Sequence, residues 1–124
     1  MTGRILVVDD EPFILRSLSF VLRKEGFRVL EARDGEEAME QIREHQPSIV
    51  FLDVMMPKKN GYEVCQEIKS DPDLQSTYVI MLTAKGQETD RDKGLSLGAN
   101  EYMTKPFSPS KITERVREIL VTEA

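Results

Sequence analysis

Arg4-Ile5-Leu6-Val7-Val8-Asp9-Asp10-Glu11-Pro12 is the stretch on which the fold turns. Four apolar residues, two of them β-branched valines, stop abruptly at two carboxylates, and a glutamate and a proline then open a segment of helical period. An apolar run with no polar alternation is the pattern of a strand covered on both faces. Ile49–Leu52 and Tyr78–Leu82 read the same way, and each also ends in a polar group, Asp53 in one case and Thr83-Ala84 in the other. Arg28–Ala32 alternates apolar with charged residues and reads as an edge strand. Glu101–Met103 is short and precedes Lys105-Pro106.

Segments of helical period separate these strands. Ile14, Leu18, Val21 and Leu22 form the stripe of the first, with Gly26 as its stop. Ala38 and Ile42 mark the second and Val64 and Ile68 the third. The fourth, around Gln87–Leu97, is polar and carries Gly94, which costs about 1 kcal/mol relative to alanine. Ile112, Val116, Ile119 and Leu120 mark the fifth. Strand and helix thus alternate five times. That alternation predicts an α/β fold, a doubly wound parallel sheet of five strands with five helices on its two faces.

Composition agrees with one globular unit over residues 1–124. The chain is 40% hydrophobic and 31% charged, with a net charge of −5. That balance offers no basic footprint for direct nucleic-acid contact. No apolar stretch approaches the roughly 20 residues of a membrane span, and the N-terminal apolar run is too short for a signal peptide. The single Cys65 excludes an internal disulfide, so the expected compartment is the cytoplasm. With no linker visible after the fifth helical segment, a stand-alone domain is slightly preferred over a piece of a longer regulator.

In an open α/β sheet the ligand crevice lies outside the carboxyl ends of the strands. Asp9, Asp10 and Asp53 all reach that edge if the first and third strands are neighbours. Two unit charges 4 Å apart repel by about 4 kcal/mol at an effective dielectric of 20. Such a cluster therefore raises its own pKa values or recruits a cation. An all-oxygen site with few protein ligands suits Mg²⁺. Asp9-Asp10 reads equally well as a helix cap, because Asp10-Glu11-Pro12 is a good helix start. Thr83 alone is an ordinary turn hydroxyl and Lys105 alone a solvated cation; their conjunction with three carboxylates carries the signal.

The chain resembles the receiver domain of two-component response regulators over essentially its whole length. The matching pieces are Val7-Val8-Asp9-Asp10-Glu11, Leu52-Asp53-Val54-Met55-Met56-Pro57 with Gly61 after it, Leu82-Thr83-Ala84, Gly98-Ala99 before Tyr102, and Thr104-Lys105-Pro106-Phe107. The resemblance implies the strand order 2-1-3-4-5. It implies that Asp53 accepts a phosphoryl group from a sensor histidine kinase, a histidine phosphotransfer protein or a small phosphodonor. Asp10 and Asp53 would bind Mg²⁺ (or Mn²⁺), Asp9 would do so through a water, and Met55 would contribute its backbone carbonyl. Lys105 and Thr83 would hold phosphoryl oxygens, and the Lys105–Pro106 peptide would be cis. Thr83 and Tyr102 would relay the change to the surface formed by the fourth helical segment, the fifth strand and the fifth helical segment, where a downstream protein or output domain binds. The residues two past the phosphoacceptor and two past the threonine, Met55 and Lys85, would tune hydrolysis.

Other readings meet specific obstacles. A phosphatase of the haloacid dehalogenase type needs a second aspartate two residues after the nucleophile, and Met55 stands there. A nucleotide or flavin site needs a glycine- or hydroxyl-rich loop after the first strand, where Asp9-Asp10-Glu11 repels phosphate. A purely structural interaction module is the third class. The domain therefore reads as a switch that promotes its own phosphorylation and hydrolysis, and not as an enzyme in the usual sense. His45 reads as a surface residue, Cys65 as a packed one, and Lys58-Lys59 as positive charge beside the acidic site. Gly61 is either a backbone position that other residues resist or an ordinary loop glycine.

Overall fold

The computed structural model describes residues 4–54, 56, 59–84, 98–105 and 108–123. In chain order the elements are β1 (Arg4–Val8), α1 (Pro12–Lys24), β2 (Arg28–Ala32), α2 (Gly35–His45), β3 (Ile49–Asp53), α3 (Gly61–Ser70), β4 (Tyr78–Ala84), β5 (Glu101–Lys105) and α4 (Pro109–Glu123). The fourth helical segment expected from the sequence, Gln87–Leu97, lies outside the described residues, as do Met55, Lys58, Lys85, Pro106 and Phe107. The fifth segment is therefore α4.

All five strands are parallel, in the order β2-β1-β3-β4-β5. The alternating sequence of β2 puts it at an edge, as expected. Three strands run further than their apolar cores. Asp53 is the last residue of β3, Thr83 lies within β4, and Lys105 ends β5. Ladder hydrogen bonding continues through these polar residues because backbone pairing does not depend on the side chain.

Strand alternation sorts the apolar side chains into two layers. Leu6, Val8, Val50, Leu52, Val79 and Met81 meet Ala38 and Ile42 of α2 and Val64, Cys65 and Ile68 of α3. Ile5, Val7, Ile49, Phe51, Ile80 and Leu82 meet Leu15, Leu18 and Leu22 of α1 and Ile112, Val116 and Ile119 of α4. The stripe of α1 is therefore Leu15-Leu18-Leu22, whereas Ile14 and Val21 flank it half-buried. Leucines at spacings of three and four centre on the sheet, and this rotates the expected stripe by one position. Leu120 likewise sits at the border of its layer.

Helix ends follow local chemistry. Gly26, at φ +93°, ends α1: its N–H donates to the Arg23 carbonyl while the Phe27 N–H reaches Leu22, a Schellman closure. The Asp34 carboxylate caps α2 by accepting from the Glu37 N–H at 2.9 Å. His45 is the last residue of α2, part-exposed, and its carbonyl accepts from Arg4. Among the described residues no helix is long and apolar enough to cross a membrane.

Among the described residues the largest fully buried side chain, Phe51, anchors the α1–α4 layer. Phe51→Ala is expected to lower unfolding stability by about 3–5 kcal/mol. Val121→Thr, at a site 77% exposed, should change it by less than about 0.5 kcal/mol. Urea titrations of the two variants check the contrast.

Candidate functional site

Strand parity explains which side chains meet at the carboxyl edge. Asp9 continues the alternation of Ile5 and Val7, Asp53 that of Ile49 and Phe51, and Lys105 that of Met103; all these apolar residues belong to the α1–α4 layer. β1 and β3 are adjacent, pairing Val8 with Leu52. The carboxylates of Asp9, Asp10 and Asp53 consequently offer oxygens within 4.8 Å of one another. Asp9 is fully buried and Asp53 nearly so, while Asp10 is exposed.

Lys105 closes the cluster. Its Nζ donates to Asp9 Oδ2 at 2.8 Å and to Asp53 Oδ1 at 3.4 Å. The other Asp9 oxygen, Oδ1, accepts from the Glu11 N–H at 3.0 Å. This bond braces the turn ahead of α1, whose own N-cap, Glu11, makes no side-chain cap. Asp9 is thus held by both a backbone donor and a cation, and Asp10 caps nothing at the helix N-cap.

Burial first, and then the charge of Asp9, lifts the Asp53 carboxyl from the ordinary 3.8 to about 7. Lys105 opposes this by charge and hydrogen bond without reversing it, and Asp10 adds a smaller upward push. For Lys105, burial disfavours the ammonium, but the bond to Asp9 and the charges of Asp53 and Asp9 outweigh it and raise its pKa. The donor set is all oxygen, densely anionic and open on the Asp10 side. These are the features that a small hard dication such as Mg²⁺ requires.

Thr83 is buried at the end of β4, one residue beyond Leu82, the register partner of Asp53. By alternation it shares the α2–α3 side of the sheet with Met81, and Met81 pairs with Tyr102. Tyr102 is half-buried and packed against that layer, with its hydroxyl 3.2 Å from that of Tyr62. Tyr62 carries no signal in the sequence beyond following Gly61. The role of Gly61 is steric and not conformational, since its φ is not positive. A Cβ there would overlap the Asp53 carbonyl oxygen and come within 2.9 Å of the Val54 α-carbon.

Lys59 does not face the carboxylates. It pairs with Glu67 of α3, which also binds Arg43 of α2 at 3.0 Å. Cys65 is packed in the core as expected, and burial pushes its thiol up to about 11. The Met55 carbonyl and the Lys105–Pro106 peptide lie outside the described residues.

Sheet order and site together define a doubly wound α/β domain with a cation-competent carboxylate cluster and a lysine at its strand ends. Comparison with known proteins places it more narrowly. The family model for the response regulator receiver domain matches residues 5–117, and the chain belongs to that family. It is 45% identical over 120 residues to the alkaline phosphatase synthesis transcriptional regulatory protein PhoP of Bacillus subtilis (strain 168), covering 97% of this chain and 49% of that protein. A putative response regulator from Chloroflexus aurantiacus J-10-fl superposes with a TM-score of 0.91 at 36% identity, covering 98% of this chain and 99% of that one. The BeF3-activated DrrB receiver domain superposes at 0.86 with 38% identity, covering 97% and 98%. The chain spans about half the length of the curated relatives it matches. Receiver domains are the phosphorylation-dependent switches of two-component signalling, acting between histidine kinases and output domains with Mg²⁺ at an acidic pocket.

Two outcomes follow from this geometry. A carboxyl with a higher pKa folded than unfolded stabilises the fold while protonated. For Asp53 that contribution is complete below pH 3.8 and is lost as pH rises through about 7. In Mg²⁺-free buffer, Asp53→Asn should therefore remove a fall in urea stability over that window. At about pH 8 the variant should be more stable by on the order of 1–3 kcal/mol; parallel pH profiles for the two chains would contradict this. Gly61→Ala should cost about 1–3 kcal/mol in the same assay through overpacking.

Proposed function

We propose that residues 1–124 work as one receiver unit in which Asp53 is the phosphoacceptor. The observation that carries this reading is the buried Asp53 carboxylate held between the Asp9–Asp10 pair and the Lys105 ammonium. A carboxylate oxygen of Asp53 attacks phosphorus; the bond from phosphorus to the donor nitrogen breaks, its electron pair returns to the donor imidazole, and an acyl phosphate forms. Lys105 leaves Asp53 to pair with a phosphoryl oxygen, and Thr83 donates its hydroxyl to another. Positioning and charge stabilisation supply the acceleration, as phosphoryl transfer requires. A Mg²⁺ ion, or Mn²⁺ in its place, would be held by Asp10 and Asp53, by Asp9 through a water and by the Met55 carbonyl, and would supply the positive charge that lets two anions approach. The same groups promote hydrolysis of the acyl phosphate, so the unit resets itself and is no conventional enzyme. Met55 and Lys85 tune that lifetime.

The donor is a sensor histidine kinase or a histidine phosphotransfer protein. In support, an apolar cleft of 280 Å³ bordered by Phe13 and Pro109 adjoins Lys105, and Phe13 and Phe20 stand exposed on α1. Phosphorylation draws Thr83 toward the phosphoryl group and changes the setting of Tyr102 on the same side of the sheet. The surface of segment 87–97, β5 and α4 then presents a new shape to a downstream protein or output domain. We take the 124-residue chain, with its net charge of −5, to make no direct contact with nucleic acid or membrane and to work in the cytoplasm.

Acetyl phosphate with Mg²⁺ should add one phosphoryl group to the chain, mapped to Asp53 by borohydride reduction and mass spectrometry. Asp53→Asn should abolish the label, and Lys105→Ala should slow its appearance roughly 10–100-fold. Turnover of phosphomonoesters with no label at Asp53 would overturn the reading.

A further inference from the structure

We infer that the state of Asp53 reaches β5 by a second route, through the first turn of α3 and the hydroxyl pair Tyr62–Tyr102. The inference rests on Asp53 being the phosphoacceptor, and each step along the route is a close contact. Gly61, the first residue of α3, lies against the Asp53 carbonyl so closely that no side chain fits between them, and its N–H donates to the Val54 carbonyl at 3.0 Å. A shift of the Asp53 backbone is therefore a shift of the α3 start.

That turn is stiff. Asn60 accepts from the Glu63 N–H at 3.0 Å, and the Glu63 carboxylate accepts from the Asn60 N–H at 3.2 Å, forming a capping box. The next residue, Tyr62, is almost wholly buried, and its hydroxyl meets that of Tyr102, with 3.2 Å between the oxygens. Tyr62 lies on helix α3 and Tyr102 on β5, which β4 separates from β3 and its Asp53. A hydroxyl pair of this kind joins α3 to the edge strand directly. Tyr62 is thus a positioning residue, acting through Tyr102 without touching the reacting atoms.

The coupling is reciprocal: if Asp53 biases the pair, breaking the pair changes affinity at Asp53. The test is beryllofluoride affinity in saturating Mg²⁺ for the complete chain and for Tyr62→Phe, Tyr102→Phe and the double variant. One hydrogen bond corresponds to roughly a 2- to 12-fold change. Each single variant should shift affinity within that range, and the double variant by less than the product of the two single shifts, because both singles remove one shared bond. Affinities within 1.5-fold of the parent in all variants, or single effects that multiply in the double, would overturn the route. Failure of the parent chain itself to bind beryllofluoride would instead remove the phosphoacceptor reading, and the route with it.

Discussion

The ion pair between Lys105 and Asp9, 2.8 Å long, ties β5 to β1 across the ends of the two strands that lie between them in the sheet. The acidic edge depends on it. Three carboxylates whose oxygens lie within 4.8 Å of one another repel by several kcal/mol, and two of them are buried. A single ammonium reaching both buried members offsets part of that cost. Asp53 keeps a raised pKa all the same, through burial first and the charge of Asp9 second. The site therefore has unsatisfied demand for positive charge, and this is the physical basis of its fitness for a dication and a phosphoryl group.

Parity along β1, β3, β4 and β5 sends Asp9, Asp53 and Lys105 to one side of the sheet, and Thr83 and Tyr102 to the other. The acidic cluster and the residues Thr83 and Tyr102 thus lie on opposite faces of one sheet. Gly61 lies against the backbone of Asp53 and Val54, and Lys59 pairs with Glu67, which also binds Arg43.

Much of this was legible in the residues. Unbroken apolar runs identified the buried strands, the alternation of Arg28–Ala32 identified an edge, and polar residues at the run ends identified the crevice. Two kinds of information were not. Helix rotation was off by one position in α1, because Ile14 and Val21 are as apolar as Leu15 and only packing against the sheet distinguishes them. The grounds for Gly61 were also hidden. A glycine needed for space looks identical in sequence to one needed for positive φ, and the close neighbour lies eight residues earlier on another element. Tyr62 was invisible for the same reason, since its partner is forty residues away. Lys59 looked like a companion of the carboxylates, but Glu67, two helical turns along, claims it.

Cys65 has a consequence beyond packing. It is the chain's single thiol, it has no accessible surface, and its ionisation is pushed to about 11. A thiol so protected reacts with alkylating or oxidising reagents only when α3 leaves the sheet. The protein thus carries an intrinsic chemical clock. The rate at which Cys65 is captured by a thiol reagent counts openings of the layer behind Asp53, with no label introduced and no residue of the acidic edge disturbed.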